Sequence, residues 1–267
     1  MDPRRVYSAL VFFPLFYLLV RYLPPVAFSI FVATGILLAQ YEYYRLHFPH
    51  RFSAPIGLGL LCGLLITIGF AAPSRLPEPA TVTFIIMAIL LSHALSGRDL
   101  KTGLLDTAVV LFGVFYVAWL LGHLIRIDRL ANGPFLIFFL FLVTWANDTA
   151  AYYVGSLLGR HPLAPAISPK KTWEGAVGGL LGSVVAAFAC HAWFLDPLSL
   201  RETAWLGLVI GVAAPLGDLC ESALKRSASV KDSGRLIPGH GGMLDRVDSL
   251  IFTTPLFYYC LLAMRLS

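Results

Sequence analysis

The chain has 267 residues, 58% of them hydrophobic and only 13% charged, where an ordinary soluble domain is roughly 45–50% apolar and about 25% charged. Its mean hydropathy is +0.76 and its formal net charge +5. These values exclude a soluble enzyme, a disordered regulator and a nucleic-acid-binding domain; they point to a polytopic membrane protein whose basic excess serves topology.

A spanning helix needs about 20 mostly apolar residues. In chain order such runs predict nine spans, over 6–22, 26–44, 55–72, 80–96, 105–125, 133–155, 173–194, 203–224 and 244–266. The runs are continuous rather than alternating, which favours helices over a barrel. The expected fold is therefore all-α. N-terminal helices occupy 1–130, and a C-terminal set over 131–267 carries the polar motifs within one membrane unit. Arg4 and Arg5 before the run from Val6 to Val20 imitate a secretory signal. Arg21 and Pro24-Pro25 follow without a small-x-small cleavage site, so the segment reads as a retained first helix.

Loop charges orient the chain. With the N-terminus inside, the inner segments hold Arg4, Arg5, Arg45, Arg51, Arg98, Lys101, Arg160, Lys170, Lys171, Lys225, Arg226, Lys231, Arg235 and Arg246. The outer segments hold only Arg21, Arg75, Arg126, Arg129, Arg201 and Arg265. The positive-inside rule then puts the N-terminus in the cytoplasm and the C-terminus outside. Short loops suit a bacterial inner membrane.

Four cysteines, Cys62, Cys190, Cys220 and Cys260, lie far apart with no CxxC spacing, so neither a zinc site nor a disulfide framework is expected. His93, His123 and His191 stand alone in apolar surroundings and read as hydrogen-bonded or interfacial histidines; Glu42, among Tyr41, Tyr43 and Tyr44, reads as interfacial. Gly175, Gly179 and Ser183, with Gly178, Gly182 and Ala186, form small-residue faces for close helix packing, inside the chain or in a homodimer.

Charge concentrates between 215 and 248. Asp218 and Glu221 are three apart near the end of the eighth span, and Asp245 and Asp248 are three apart at the start of the ninth. Such pairs share a helix face, so two joined helix ends bring three or four carboxylates together. Like carboxylates repel unless a cation lies between them, and oxygen-only ligands suit magnesium or calcium. Lys225, Arg226, Lys231, Arg235 and Arg246 are interleaved with them. They supply the cations a polyphosphate requires, or else form a salt-bridged cytoplasmic loop. His240-Gly241-Gly242 precedes the ninth span, where glycine lets backbone approach a ligand.

Two further segments are polar. In Ser168-Pro169-Lys170-Lys171-Thr172-Trp173-Glu174-Gly175, Ser168 or Thr172 caps the seventh helix, and the lysines either meet a phosphate or serve topology. In the sixth span Asn147 and Asp148 should face the protein interior, with Asp148 joining a metal site or pairing with a lysine.

These segments resemble the signature of the phosphatidate cytidylyltransferase family. Ser222-Ala223-Leu224-Lys225-Arg226, Lys231-Asp232, Gly234, Ile237-Pro238, His240-Gly241-Gly242 and Asp245-Arg246-Val247-Asp248 fill its fixed positions, and the 168–175 segment and Asn147-Asp148 look like further family motifs. The resemblance covers roughly 145–248; the first five spans match only in hydropathy and length. It implies a multi-helix membrane enzyme that makes CDP-diacylglycerol and pyrophosphate from CTP and phosphatidic acid with magnesium. It also implies a metal centre on Asp218, Asp245 and Asp248, joined by Asp148.

The chemistry of the residues agrees with that reaction. A lipid phosphate is already anionic and needs no general base, and no Ser/His/Asp or Cys/His constellation is present. Lys225, Arg226 and Arg246 are the expected cations for the leaving pyrophosphate. Lys170 and Lys171 are expected to hold the triphosphate or the lipid phosphate. Asn147, Ser168, Lys231, Asp232, Arg235, His240, Gly241 and Gly242 complete the expected substrate contacts. A CTP-dependent lipid kinase is the related alternative. A transporter would instead place charges in mid-membrane and show repeats.

Overall fold

Proline, glycine and hydroxyl caps set where the helices begin. The computed structural model describes residues 15–48, 54–96, 100–195, 198–234 and 241–265. Residues 15–22 are helical. Helix α1, Pro25–His47, opens on proline, whose missing N–H costs nothing in the first turn. Helix α2 spans Ala54–Ala71, and α3, Glu78–Ala94, again carries proline in its first turn. Helix α4, Leu100–Gly113, runs through a π-helical turn, Val114–Trp119, into α5, Leu120–Asp128. Helix α6, Gly133–Leu158, follows Asn132, which sits in the left-handed region at φ 61°. Helix α7 spans Trp173–Phe194, α8 spans Leu200–Ser227 behind a Ser199/Glu202 capping box, and α9 spans Leu244–Arg265.

Seven of these stretches are long and apolar enough to cross a membrane: Pro25–His47, Ala54–Ala71, Gly103–Asp128, Gly133–Leu158, Trp173–Phe194, Leu200–Ser227 and Leu244–Met264. The expected count of nine is thus seven among the described residues. Helix α3, expected to span over 80–96, begins at Glu78 and ends at Ala94, and its 17 residues leave it among the shorter apolar helices. Most of the expected first span lies outside the described residues.

One element departs from an all-helical chain. Strands β1, Pro162–Ala164, and β2, Ser168–Thr172, pair antiparallel between α6 and α7. Pro162, Pro165 and Pro169 deny this stretch a helical ladder but are tolerated at the edges of a two-stranded ribbon. Glu174 closes the open end, accepting from the backbone N–H groups of Arg160 and His161 and pairing with His161 Nδ1 at 2.6 Å.

The small-residue faces are taken up inside the chain. Cβ atoms added at Gly178 or Gly182 of α7 would strike Val154 or Ala150 of α6, and one at Gly179 would press on Ala151 and Asn147. On the other side of α7, Gly207 and Gly211 of α8 pack against Ser183. Helix α9 lies against α8, α6, α5 and α1, so the buried core is continuous across both halves of the chain.

Tyr44 Oη donates to the carbonyl of Val110, one turn before the π-helical stretch, at 2.9 Å. Gln40 Nε2 donates in turn to Tyr44 Oη and to the Gly59 carbonyl. His123 is fully buried, with Nδ1 2.9 Å from the Trp119 carbonyl and Nε2 3.3 Å from Tyr259 Oη. All four cysteines are free.

Candidate metal and phosphate site

The last turns of α8 and the first turns of α9 converge. Asp218 and Glu221, three apart on α8, share a face, and Asp248 of α9 meets it; one carboxylate oxygen from each lies within 4.8 Å of the others. Gly217 permits this approach, since a Cβ there would lie 2.6 Å from the Asp248 carbonyl oxygen.

Two lysines bind the group. Lys171 Nζ is 2.5 Å from Asp218 Oδ2. Lys225 Nζ is 2.5 Å from Glu221 Oε2 and 2.7 Å from Asp245 Oδ1. With all six side chains ionised, four carboxylates face two ammonium groups, a formal charge of −2 that a divalent cation neutralises. Glu221 is fully buried, and its Oε1 has no hydrogen-bond partner among the described residues. Oxygen-only donors, an acidic excess and an orphaned buried carboxylate oxygen all fit magnesium.

The structure brings Asp218 and Asp248 together as expected, with Glu221 as the third member. Asp245 stands behind Lys225 and accepts from the N–H groups of Gly242 at 2.8 Å and Ser233 at 3.1 Å. These contacts tie residues 233 and 242 to the first turn of α9. Glu221 carried the same signal as the others, a spacing of three from Asp218. Asp148 lies beside the group, accepting from Ser249 Oγ at 3.5 Å. Asn147 is buried and donates through Nδ2 to the Gly211 carbonyl at 3.1 Å.

A cavity of about 550 Å³ opens alongside, with Asp148, Tyr152, Lys170, Lys171 and Asp218 in its wall. Lys171 turns to Asp218, and Lys170 remains exposed. Thr172, not Ser168, caps α7, accepting from the Gly175 N–H at 3.2 Å; Ser168 instead pairs with Ala164 in the hairpin. Arg226 is exposed and donates to the carbonyls of Ile167 and Val230, latching the hairpin to the end of α8. Lys231, Asp232 and Arg246 are exposed. Gly241 has φ +81°, a conformation that favours glycine. Arg235 and His240 lie outside the described residues.

Glu42 differs from expectation. It is buried rather than interfacial, and its Oε2 accepts from the Leu244 N–H at 2.8 Å and from Ser233 Oγ at 3.1 Å. Sequence gave no pointer to this contact, which joins residues 191 positions apart.

Comparisons with known proteins agree on a family. The model of the cytidylyltransferase family matches residues 3–264. A protein named phosphatidate cytidylyltransferase from Staphylococcus haemolyticus is 35% identical over 230 residues, covering 85% of this chain and 87% of that one. Its namesake from Staphylococcus saprophyticus is 40% identical over 168 residues, 63% of this chain and 64% of that protein. The uncharacterized protein YnbB of Escherichia coli is 42% identical over 151 residues, 57% of this chain and 50% of that protein. The chain thus spans half of one relative, just under two thirds of another and most of the third. A match over nearly its whole length, on a helical frame with an acidic site where two helix ends meet, makes this chain a member of the cytidylyltransferase family.

Proposed function

We propose that the chain transfers CMP from CTP to phosphatidic acid, giving CDP-diacylglycerol and pyrophosphate, at the cytoplasmic face of a bacterial inner membrane. The observation that carries this reading is the group Asp218, Glu221 and Asp248 beside a cavity with Lys170 and Lys171 in its wall. Relatives bearing the name phosphatidate cytidylyltransferase support it.

The reaction asks little of a general base. A phosphate oxygen of phosphatidate, anionic at neutral pH, attacks the α-phosphorus of CTP; the α–β phosphoanhydride bond breaks and pyrophosphate departs. The obstacle is the repulsion of two polyanions. Asp218, Glu221 and Asp248 would hold magnesium, which would neutralise charge on the phosphates. Lys225 fixes Glu221 and Asp245, and Lys171 orients Asp218. Lys170, exposed at the cavity, offers an ammonium to an incoming phosphate. Exposed Tyr152 on the same wall suits the glycerol and acyl portion of a lipid. The Thr172 cap holds the first turn of α7 toward the cavity, with Thr172 and Gly175 in its wall.

The test uses purified protein in detergent with phosphatidic acid, magnesium and CTP labelled at the α-phosphate. Label entering the lipid, with release of pyrophosphate and complete inhibition by EDTA, supports the proposal. Label remaining in water-soluble CDP while an alcohol lipid becomes phosphorylated makes the protein a lipid kinase. No nucleotide consumption with either lipid removes both readings.

A further inference from the structure

Helix α1 sends a carboxylate to the start of α9. Glu42, on α1, is 7% exposed, and its carboxylate is enclosed by the two chain segments on either side of residues 235–240. Its Oε2 accepts from the N–H of Leu244, the first residue of α9, and from Ser233 Oγ. Backbone crowds it: a Cβ at Gly234 would lie 2.6 Å from Glu42 Oε1, and one at Gly242 would collide with Glu42 Oε2 and Ser233 Oγ. Ser233 is held at its other end, since its N–H donates to Asp245. Asp245 accepts from Lys225, and Lys225 pairs with Glu221. A continuous polar chain therefore runs from Glu42 through Ser233, Asp245 and Lys225 to the carboxylate group.

We infer that Glu42 is a positioning residue for the reaction proposed above, setting the start of α9, and with it Asp245 and Asp248, through hydrogen bonds accepted by one oxygen. The first N–H groups of a helix have no partner within it, so whatever accepts from Leu244 decides where α9 begins. Asp248 lies one turn further along the same helix, and an error in its first turn is carried directly to the metal-binding oxygens. A displacement of about 1 Å at such groups costs roughly 10²-fold in rate.

The role makes an unusual demand on substitution. Glu42→Gln removes the charge but keeps an oxygen at the same reach, able to accept both hydrogen bonds. Glu42→Asp keeps the charge but withdraws it by one methylene. A hydrogen-bond role ranks Gln above Asp; a role in charge pairing or metal binding ranks Asp above Gln. We expect E42Q to retain kcat within about threefold, and E42D and E42A to lose about 30-fold or more with KM for CTP little changed. Ser233→Ala should fall in the same direction by less, and should be non-additive with E42A because the two share one bond.

The experiment measures kcat and KM per folded protein, with folding checked by gel filtration and thermal unfolding. Manganese affinity is measured alongside by paramagnetic resonance, which requires no turnover. Weaker manganese binding in E42D and E42A but not in E42Q supports the assignment. E42Q falling to the level of E42A, or E42A retaining full kcat and manganese affinity, overturns it. A rise in KM with kcat held would make Glu42 a substrate contact and also overturns it. If E42A does not fold, the Gln, Asp and S233A variants carry the same comparison. Absence of wild-type turnover with the manganese ranking intact would remove the proposed reaction while leaving the positioning role in place.

Discussion

Asn147 donates through Nδ2 to the carbonyl oxygen of Gly211 at 3.1 Å, the acceptor that Pro215, four residues on in α8 and without an N–H, cannot serve. A polar side chain in the middle of α6 thus has a partner created by a proline in α8. The arrangement lets α8 carry a proline one turn before Asp218 without leaving a buried carbonyl unsatisfied. Gly179 lies against the Asn147 side chain, so the amide is held from both sides.

Asn147→Leu should therefore lower stability by about 1–2 kcal/mol, the cost of one unmade buried hydrogen bond. Adding Pro215→Ala should recover part of that loss, because the N–H of residue 215 then serves Gly211 directly. Thermal unfolding of the two single variants and the double variant in one detergent decides it. Strictly additive losses would mean that the amide and the proline are independent.

Gly217 makes a second specific demand. Gly217→Ala places a methyl 2.6 Å from the Asp248 carbonyl oxygen, so α8 and α9 must move apart where the carboxylates meet. The expected result is a folded protein with kcat reduced by about 10²-fold and a higher magnesium concentration for half-maximal activity. A loss of rate that saturating magnesium fully restores would fit a weakened ion site. Unchanged kinetics would show that the two helices tolerate the extra separation.

These relationships differ in how far sequence could reveal them. Helix lengths follow from uninterrupted apolar runs; the spacing of three put Asp218, Glu221, Asp245 and Asp248 forward alike, and the family resemblance selected Asp218, Asp245 and Asp248 among them. Glu221 had that spacing as well; its place in the group depends on α9 meeting α8 at Gly217, which spacing does not record. Asp245 has the same local pattern as Asp248 yet turns to Lys225 and the Gly242 N–H, because it stands at the very start of α9 where unpaired backbone donors are found. The 160–172 hairpin is short and proline-rich, with no period to read. Glu42 and Ser233 meet only through tertiary packing, and nothing near Glu42 in sequence distinguishes it from an interfacial acid.

Lys225 separates two carboxylates that would otherwise face each other across a buried gap. Lys225→Met leaves Glu221 and Asp245 without their shared cation, and breaking such a pair costs about 3–5 kcal/mol. A divalent ion should replace part of the missing charge. The rise in unfolding temperature on adding magnesium is then expected to be larger in K225M than in the wild type, and EDTA should abolish the difference. Equal rises in both proteins would place the ion away from Lys225.

Lys170 and Lys171 are adjacent in sequence but differ in partner and exposure, and their variants should separate accordingly. Lys171 pairs with Asp218 at 2.5 Å, so Lys171→Met changes the orientation of a carboxylate in the Asp218, Glu221 and Asp248 group. The expected effect is a fall in kcat of about 10-fold or more and weaker manganese binding. Lys170 is exposed and its charge is available to a phosphate. Lys170→Met should raise KM for one substrate several-fold with kcat preserved, and the change should shrink at high salt, since an exposed charge is screened within about 10 Å at 0.1 M ionic strength. Which substrate loses affinity then identifies the phosphate that Lys170 meets: CTP if the strand faces the nucleotide, phosphatidic acid if it faces the lipid. Identical kinetic signatures for the two lysine variants would contradict the difference between a lysine paired with Asp218 and one exposed to solvent.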